Sequence, residues 1–442
     1  MGVYMPVKKV LKRVLLAGSV AAVVAPAAGA GELSPVEQQI VAEVKAHAPQ
    51  GLALLERSVN INSGTLNHEG VREVGKLFGA EFEQLGFKTR WIEMPAAMNR
   101  AGHLEAAREG KQGKRVLLIG HLDTVFEKDS PVQKWDRKGE RVRGQGVADM
   151  KGGDVIIIEA LRALQKAGAL DNTSITVMFS GDEENAGDPI SVSRADMVAA
   201  AKHSDVALAF EGVVRNKQGV ETGTIGRRAS SSWELTVKGK QGHTSGIFTP
   251  EAGYGAIFEA ARIVDAFRQQ LPEADLTYSP GLILGGTEAT LDAGGARGTA
   301  YGKNNIIANT TIVKGDLRYL SKEQGDRVHA KMQAIVAQHL PGTSATIAFH
   351  ESYPPMSPTA GNLKLLDAYS KASDDAGLGK VPALPPGERG AGDVQFAAPY
   401  VDSLDGLGAG GRGSHSPDEE LDIPTIERST IRAALLIYRL TR

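Results

Sequence analysis

A run of four apolar residues, 116–119, ends in a glycine and is followed by two polar side chains, His121 and Asp123. A short uninterrupted apolar run is typical of a strand that is buried on both faces of a sheet. Alternate side chains of an extended chain point to the same side, so His121 and Asp123 share one direction. Taken alone, the pair fits a metal ligand with its supporting carboxylate and a plain hydrogen-bonded histidine equally well.

Two further predicted strands lead into acidic residues. The strand at 174–179 leads into Glu183 and Glu184, and the strand at 206–210 is followed directly by Glu211. A predicted helix at 156–166 lies between the first strand and the strand at 174–179, two more precede the first strand at 34–58 and 68–85, and strands that alternate with helices favour a layered α/β fold. Ligands of such sheets gather at the carboxyl ends of the strands. The sequence therefore predicts a polar site at that edge of an α/β sheet.

The pattern changes after residue 227, where strands and helices follow in a different order. The order strand, helix, two strands, helix, strand is that of a ferredoxin-like α+β unit. We therefore predict an inserted α+β domain at 228–346 within a larger mixed-sheet α/β domain at 31–227 and 347–442. The predicted elements of the insert are strand 230–238, helix 251–271, strands 282–284 and 306–319, helix 322–340 and strand 345–350.

The first thirty residues have the features of a secretory signal peptide. Basic residues precede an apolar run at 14–24, and a small-x-small cleavage site follows at 28–30. The apolar run is too short to cross a membrane and stay there. We predict that the mature chain begins near Gly31, is periplasmic or secreted, and is free of the membrane. An uncleaved N-terminal anchor is the alternative.

Composition narrows the possible chemistry. The chain of 442 residues contains no cysteine, which excludes thiolate metal ligands, a cysteine nucleophile and disulfides. Its formal net charge of −2 at pH 7 provides no basic field for nucleic acid. The length exceeds that of one ordinary core, which agrees with two domains.

The polar residues at strand ends and in glycine-rich turns form one set of histidines and carboxylates. Nitrogen and oxygen donors without sulfur suit Zn²⁺, Mn²⁺ or Co²⁺ in a site with open positions. Two such ions about 3.5–4 Å apart need a bridging carboxylate, and one more carboxylate must stay off the ions to move protons. A solvated acidic loop is the alternative for residues 182–184. The set is His121, Asp123, Asp149, Glu183, Glu184, Glu211 and His415.

Five short motifs occur in series: HLD at 121–123, GVADMKGG at 146–153, GDEE at 181–184, FEG at 210–212 and GSHSP at 413–417. With these motifs the chain resembles the M20 family of dizinc hydrolases, and within it the bacterial glutamate carboxypeptidases, over essentially the whole mature chain. The resemblance implies a zinc-exopeptidase catalytic domain with an inserted lid or dimerisation domain.

The resemblance also implies a metal-ligand set. His121 and Glu211 would hold one zinc, and Glu184 and His415 would hold the other. Asp149 would bridge the two ions with a water between them. We therefore expect two divalent metal ions, with zinc as the expected metal and cobalt or manganese as alternatives.

Further roles in the catalytic domain follow from the same resemblance. Glu183 would be the general base that takes a proton from the water and returns it to the leaving amine. Asp123 would orient the imidazole of its neighbouring histidine. The peptide bond between Asp149 and Met150 would be cis. Asp393 would serve as a supporting or structural residue in its glycine-rich turn.

The inserted domain supplies three more candidates by resemblance. His243, in a loop at 239–245, would reach the active site of a partner subunit in a homodimer formed through this domain. Asn305 and Arg318 would bind the substrate carboxylate, and arginine suits a bidentate carboxylate contact. The alternatives are a loop histidine without a role and a strand arginine in a surface ion pair.

The implied function is that of a secreted metal-dependent hydrolase that cleaves an amide next to a free carboxylate, as a glutamate carboxypeptidase does. The substrate would be a small peptide or an N-acyl amino acid. An N-acyl-amino-acid deacylase and a dipeptidase of the same family are the alternatives, and a metal- or peptide-binding homologue without catalysis is the alternative from another class. Two features depart from the family pattern: the lid loop at 239–245 lacks a second pairing of a small residue with histidine, and residues 412–414 are more polar than expected. Both affect the expected substrate more than the expected catalysis.

Overall fold

The structure is a computed structural model that describes residues 33–292 and 294–442, and Gly2 alone among the residues before 33. The predicted signal peptide thus lies outside the described residues, apart from Gly2. None of the helices in the described part of the chain combines the length and the apolarity that a membrane crossing requires.

Ten α-helices and sixteen strands are the main elements of the described chain. The helices are α1 (Pro35–Val59), α2 (His68–Gln84), α3 (Gly152–Lys166), α4 (Ile190–Ser193), α5 (Ala195–Lys202), α6 (Gly255–Gln270), α7 (Lys322–Val336), α8 (Ala360–Asp375), α9 (Val394–Ala397) and α10 (Pro424–Leu440). The strands are β1 (Lys88–Ile92), β2 (His103–Arg108), β3 (Gln112–His121), β4 (Asp136–Lys138), β5 (Arg141–Arg143), β6 (Thr173–Ser180), β7 (Val206–Ala209), β8 (Ser230–Gly239), β9 (Thr277–Gly286), β10 (Glu288–Leu291), β11 (Gly298–Tyr301), β12 (Thr310–Arg318), β13 (Thr343–Tyr353), β14 (Asp402–Leu404), β15 (Gly411–Arg412) and β16 (Glu420–Asp422).

A six-stranded sheet in the order β1-β2-β6-β3-β7-β14 carries the larger domain. Strands β6, β3, β7 and β14 run parallel, whereas β1 and β2 add an antiparallel edge, so the sheet is mixed as predicted. Helices α1, α3 and α10 pack together on one face, and α5 and α9 cover the other. Leu117 and Leu118 are fully buried on opposite faces of β3, which explains its uninterrupted apolar sequence.

The start of α1 follows the sequence closely. Ser34 is the N-cap, and its side chain and that of Glu37 form a reciprocal capping box, with Pro35 in the first turn. Glu37 also accepts a hydrogen bond from Arg439 of α10 at 2.7 Å. The first and last helices of the described chain are therefore fastened to each other.

The inserted region forms its own antiparallel sheet in the order β13-β8-β12-β9, with α6 and α7 as its helices. The order of its elements matches the predicted ferredoxin-like order. Trp233, Leu235 and Val237 are buried on one face of β8, as their alternation predicts. Strand β9 begins at Thr277, before the predicted strand at 282–284, and it includes Pro280. A proline is tolerated there because β9 lies at the edge of the sheet. The hairpin of β10 and β11 was not predicted.

The chain enters and leaves this second sheet at one place. Arg227 and Met356 exchange two backbone hydrogen bonds, of 2.9 and 3.0 Å. Strand β13 remains paired with β8 until Tyr353. The boundary predicted between 346 and 347 therefore falls inside a strand of the inserted sheet.

Candidate metal centre and catalytic site

The structure brings the predicted histidines and carboxylates together at the carboxyl edge of the six-stranded sheet. Strands β3, β6 and β7 end at this edge, and the polar residues lie at or just after their ends. Two loops contribute the remaining residues. His121 ends β3, Glu183 and Glu184 follow β6, Glu211 follows β7, Asp149 lies in the turn before α3, and His415 lies between β15 and β16.

A first group of candidate metal ligands consists of His121, Asp149 and Glu211. The Nε2 atom of His121 lies 3.4 Å from Oδ1 of Asp149 and 3.4 Å from Oε1 of Glu211. His121 is buried, and both carboxylates are largely shielded from solvent. One nitrogen and two oxygen donors thus converge on a single point.

A second group consists of Asp149, Glu184 and His415. The Nε2 atom of His415 lies 3.2 Å from Oδ2 of Asp149 and 3.0 Å from Oε2 of Glu184. Asp149 directs its Oδ1 atom to the first group and its Oδ2 atom to the second. This division of one carboxylate between two groups is the arrangement that a bridging ligand requires.

Two observations indicate that the groups fit divalent cations. Nε2 of His121 and Oε1 of Glu184 are buried, and neither has a hydrogen-bond partner among the described residues. Burial raises the pKa of Glu184 to about 7, because a carboxylate held away from water beside other acids resists ionisation. Bound cations would satisfy the two unpartnered atoms and offset the crowded negative charge.

Asp123 positions both acidic residues that follow β6. Its carboxylate accepts hydrogen bonds from the backbone N–H groups of Glu183, at 3.0 Å, and Glu184, at 3.1 Å, and from Thr65 Oγ1 at 2.6 Å. The Nδ1 atom of His121 lies 3.0 Å from the backbone oxygen of Asp123 and 3.5 Å from its Oδ1. Asp123 is therefore placed to orient His121 mainly through its main chain, while its side chain holds the loop.

Glu183 lines the cavity that the two ligand groups face. Burial raises the pKa of Glu183 well above its ordinary range. Its backbone oxygen accepts a hydrogen bond from the hydroxyl of Tyr353 at 3.1 Å, so a residue of β13 helps to hold it. The carboxylate is thus available to the cavity, as a proton-transfer residue requires.

The turn that carries Asp149 is held by a residue that sequence reasoning missed. Glu419 is fully buried and accepts hydrogen bonds from the backbone N–H groups of Ala148 at 2.8 Å and Asp149 at 3.0 Å. Burial raises the pKa of Glu419 to about 8. In the sequence it stands in an acidic run that is typical of a solvated loop. The peptide bond between Asp149 and Met150 is cis, which confirms that prediction.

Asp393 belongs to a buried charge cluster behind Glu183. Arg194 is fully buried and donates hydrogen bonds to Asp182 Oδ1 at 2.5 Å and Asp393 Oδ1 at 2.6 Å. Ser180 donates to the other oxygen of Asp393. Asp182 immediately precedes Glu183, so the cluster joins the loop after β6 to the glycine-rich turn at 389–393.

We expect Arg194→Met to lower the free energy of unfolding by about 3–5 kcal/mol, because it leaves two buried carboxylates without their counter-charge. Urea denaturation followed by circular dichroism measures the change. Arg268→Met is the control, since Arg268 pairs with Asp265 on the exposed side of α6 and its loss should leave the free energy of unfolding close to the wild-type value. Equal losses in the two variants would contradict this role of the cluster.

The three candidates from the inserted domain lie outside the residues that line the cavity. His243 is exposed and its Nδ1 atom lies 2.9 Å from Ser245 Oγ. Asn305 is close to this loop, since its backbone oxygen accepts from the N–H of Thr244. Arg318 stands at the far end of β12 and forms an ion pair of 3.1 Å with Asp316.

The cavity itself has a volume of about 590 Å³ and contains arginines as well as acids. A volume in this range accommodates a small organic ligand. The charged residues that line it are Asp149, Glu183, Glu211, Arg215, Arg227, Glu388, Arg389 and His415.

Known proteins match the chain over most of its length. Carboxypeptidase G2 from Pseudomonas sp. (strain RS-16) is 28% identical over 405 residues, which cover 89% of this chain and 89% of that protein. Succinyl-diaminopimelate desuccinylase from Xanthomonas euvesicatoria pv. vesicatoria (strain 85-10) is 27% identical over 357 residues, 77% of this chain and 88% of that protein. The structure of the Bacillus subtilis YXEP protein, a dinuclear metal binding peptidase, is similar with a TM-score of 0.61 at 15% identity, covering 90% of this chain and 99% of that one.

The family model that describes peptidase family M20/M25/M40 matches residues 117–439. The match begins in β3 and ends in α10, so it contains all of the candidate ligands and the inserted sheet. The resemblance that the five motifs indicated is confirmed. This chain belongs to peptidase family M20/M25/M40 and is a hydrolytic enzyme.

Proposed function

We propose that the enzyme is an exported dimetal hydrolase that cleaves an amide bond next to a free carboxylate, in the manner of a glutamate carboxypeptidase. The observation that carries the proposal is the shared carboxylate of Asp149, whose two oxygens face two separate ligand groups beside Glu183. The order of the motifs and the likeness to carboxypeptidase G2 support the same conclusion.

In this proposal His121 and Glu211 would hold one cation, Glu184 and His415 would hold the other, and Asp149 would serve both. When bound, the two cations would polarise the scissile carbonyl and make a water acidic enough to attack at neutral pH. Zinc is the expected metal, and cobalt or manganese would suit the same donors.

Glu183 performs the proton transfers of the proposed reaction. A carboxylate with a raised pKa can take a proton from the attacking water and return it to the departing amine. Asp123 and Tyr353 hold the backbone of Glu183 from two sides, so its side chain is aimed before the substrate arrives. This fixed position is what a general base requires.

The proposed substrate is a small peptide or an N-acyl amino acid. The volume of the cavity agrees with that size, and arginines at its wall favour an anionic group. The relatives named above include a carboxypeptidase and a desuccinylase, which leaves an N-acyl-amino-acid deacylase or a dipeptidase as the second candidate.

We also propose that the enzyme works outside the cytoplasm as a homodimer formed through the inserted domain. The signal-like residues 1–30 support export. Large apolar side chains of α6 and β9 support association, since Phe258 is 51% and Ile283 60% exposed. In such a dimer the exposed His243 would be available to the cavity of the partner subunit.

Removing divalent metal should abolish hydrolysis, and adding Zn²⁺ should restore it. We expect the reconstituted enzyme to prefer N-acyl-glutamates over N-acyl amides that lack a free carboxylate. Activity of dialysed, chelator-treated and zinc-loaded protein is measured over a panel that also contains free dipeptides. Full activity in the metal-free protein would contradict the mechanism, and activity on free dipeptides alone would favour the dipeptidase.

A further inference from the structure

We propose that Arg389 binds the free carboxylate of the substrate, at the end of the cavity where Glu211 lies. This inference rests on the proposed function and deepens it, because it assigns to the catalytic domain a contact that the sequence placed on the inserted domain. The ligand class is an α-carboxylate of an amino acid.

The guanidinium of Arg389 is shielded but poorly paired. Its side chain is 13% exposed, and its Nε atom is buried without a hydrogen-bond partner among the described residues. The nearest acid is Glu211, whose Oε2 lies 3.7 Å from an Nη atom, beyond hydrogen-bond distance. Since Glu211 also belongs to the first ligand group, a cation bound there would compete for its charge.

The other two arginines of the cavity wall, Arg215 and Arg227, are already paired with acids or backbone oxygens of the protein. Arg227 donates to Asp405 Oδ2 at 2.6 Å and to the backbone oxygens of Gly390 and Ala391 at 2.9 and 2.6 Å. Arg215 lies 2.8 Å from Asp422 and 3.3 Å from Glu221. Among the cavity arginines in the described chain, Arg389 therefore has the most unused donors.

The segment that carries Arg389 is fixed on both sides. Arg227 holds the carbonyls of Gly390 and Ala391, as described above, and Arg228 donates to the backbone oxygen of Gly387 at 3.3 Å. The backbone on both sides of Arg389 is therefore already held, and only the side chain has to be ordered when a ligand binds, which lowers the cost of association.

The chemistry of an arginine in this position favours a carboxylate. A guanidinium presents parallel N–H donors that match the two oxygens of a carboxylate, and the pair is strong where water is excluded. A carboxylate next to the scissile amide would lie a few bonds from the carbonyl that the ligand groups face. Arg389 can then anchor the substrate while Glu183 acts on the amide.

The test compares binding of L-glutamate with that of isoglutamine, in which the α-carboxylate is replaced by an amide. Calorimetry on zinc-loaded protein is expected to give weaker glutamate binding for Arg389→Met by about 10–100-fold, with isoglutamine unaffected. Arg389→Lys should retain part of the affinity for glutamate, because lysine keeps the positive charge but lacks the paired N–H donors of a guanidinium. The metal content, measured by elemental analysis, should stay at the wild-type value.

Two comparison variants sharpen the result. Arg268→Met on the exposed face of α6 should bind both probes as the wild type does. Arg318→Met tests the alternative clamp, and a selective loss of glutamate binding there instead would overturn the proposal. If Arg389→Met lost metal, or bound both probes more weakly by the same factor, Arg389 would be a residue that supports Glu211. Either result would also overturn the proposal.

A wild-type protein that binds glutamate and isoglutamine equally would likewise refute the role of Arg389. The outcome is separable from that of the proposed reaction, because binding is measured without turnover. The protein could bind glutamate selectively through Arg389 and yet hydrolyse no member of the substrate panel. That result would support the carboxylate site at Arg389 and reject the proposed substrate specificity.

Discussion

Replacing Glu183 by glutamine is expected to lower kcat by about 10²–10⁴-fold while the metal content stays unchanged, because general acid–base catalysis contributes a factor of that size. Glutamine keeps the shape of the side chain but cannot take a proton from water. Glu183 lies outside both ligand groups, so the cations should remain in place. Steady-state kinetics and elemental analysis on the same preparation measure the two quantities.

The matched control is Glu388→Gln. Glu388 lines the same cavity and is exposed, so the variant removes an equal charge at a position that we do not assign to proton transfer. We expect its kcat to stay within about threefold of the wild type, the effect of about 0.6 kcal/mol. Turnover of Glu183→Gln at the wild-type level would reject Glu183 as the base.

Replacing Asp149 by asparagine should remove both metal equivalents, whereas His415→Ala should remove one. Asp149 contributes an oxygen to each group, but His415 contributes to the second group alone. We expect the metal affinity of Asp149→Asn to fall by more than the roughly 10–100-fold that is typical for loss of a residue that only supports a ligand. Elemental analysis after dialysis against a fixed free zinc concentration gives the stoichiometry.

Asp418→Asn serves as the control for the metal experiment. Asp418 is an exposed residue of the loop that carries His415 and is outside both groups. Its metal content should equal that of the wild type. If Asp149→Asn retained one full equivalent, the two groups would not share this carboxylate, and the bridging assignment would have to be abandoned.

The sequence could predict the centre of the site because strand geometry does most of the positioning. His121 and Glu211 follow apolar strands that could only be buried, and parallel strands end at one edge. The two short segments with Asp149 and His415 were placed by the resemblance, since neither follows such a strand. Their convergence depends on loops whose path a local pattern does not determine.

The contacts of the supporting residues could not be predicted from local patterns. Asp393 was named by the resemblance alone, and its partner Arg194, 199 positions away in the chain, was not named at all, because an ion pair at that separation leaves no local signal. Glu419 has the composition of a surface acid, and its burial depends on three backbone donors of a distant turn. For Arg318, in contrast, a local pattern was informative. Its side chain forms an ion pair with Asp316, two residues earlier and therefore on the same face of the strand.

The paired backbone segments at Arg227 and Met356 have a consequence for protein engineering. Residues in an antiparallel bridge have Cα atoms only about 4.5–5.5 Å apart, a gap that a two-residue hairpin can close. The intervening polypeptide can thus be treated as a cassette, which can be excised or exchanged with both ends of the host chain left where they are. A graft at this junction would change the inserted sheet and its two helices, while the parallel strands that carry the candidate ligands keep their own connections.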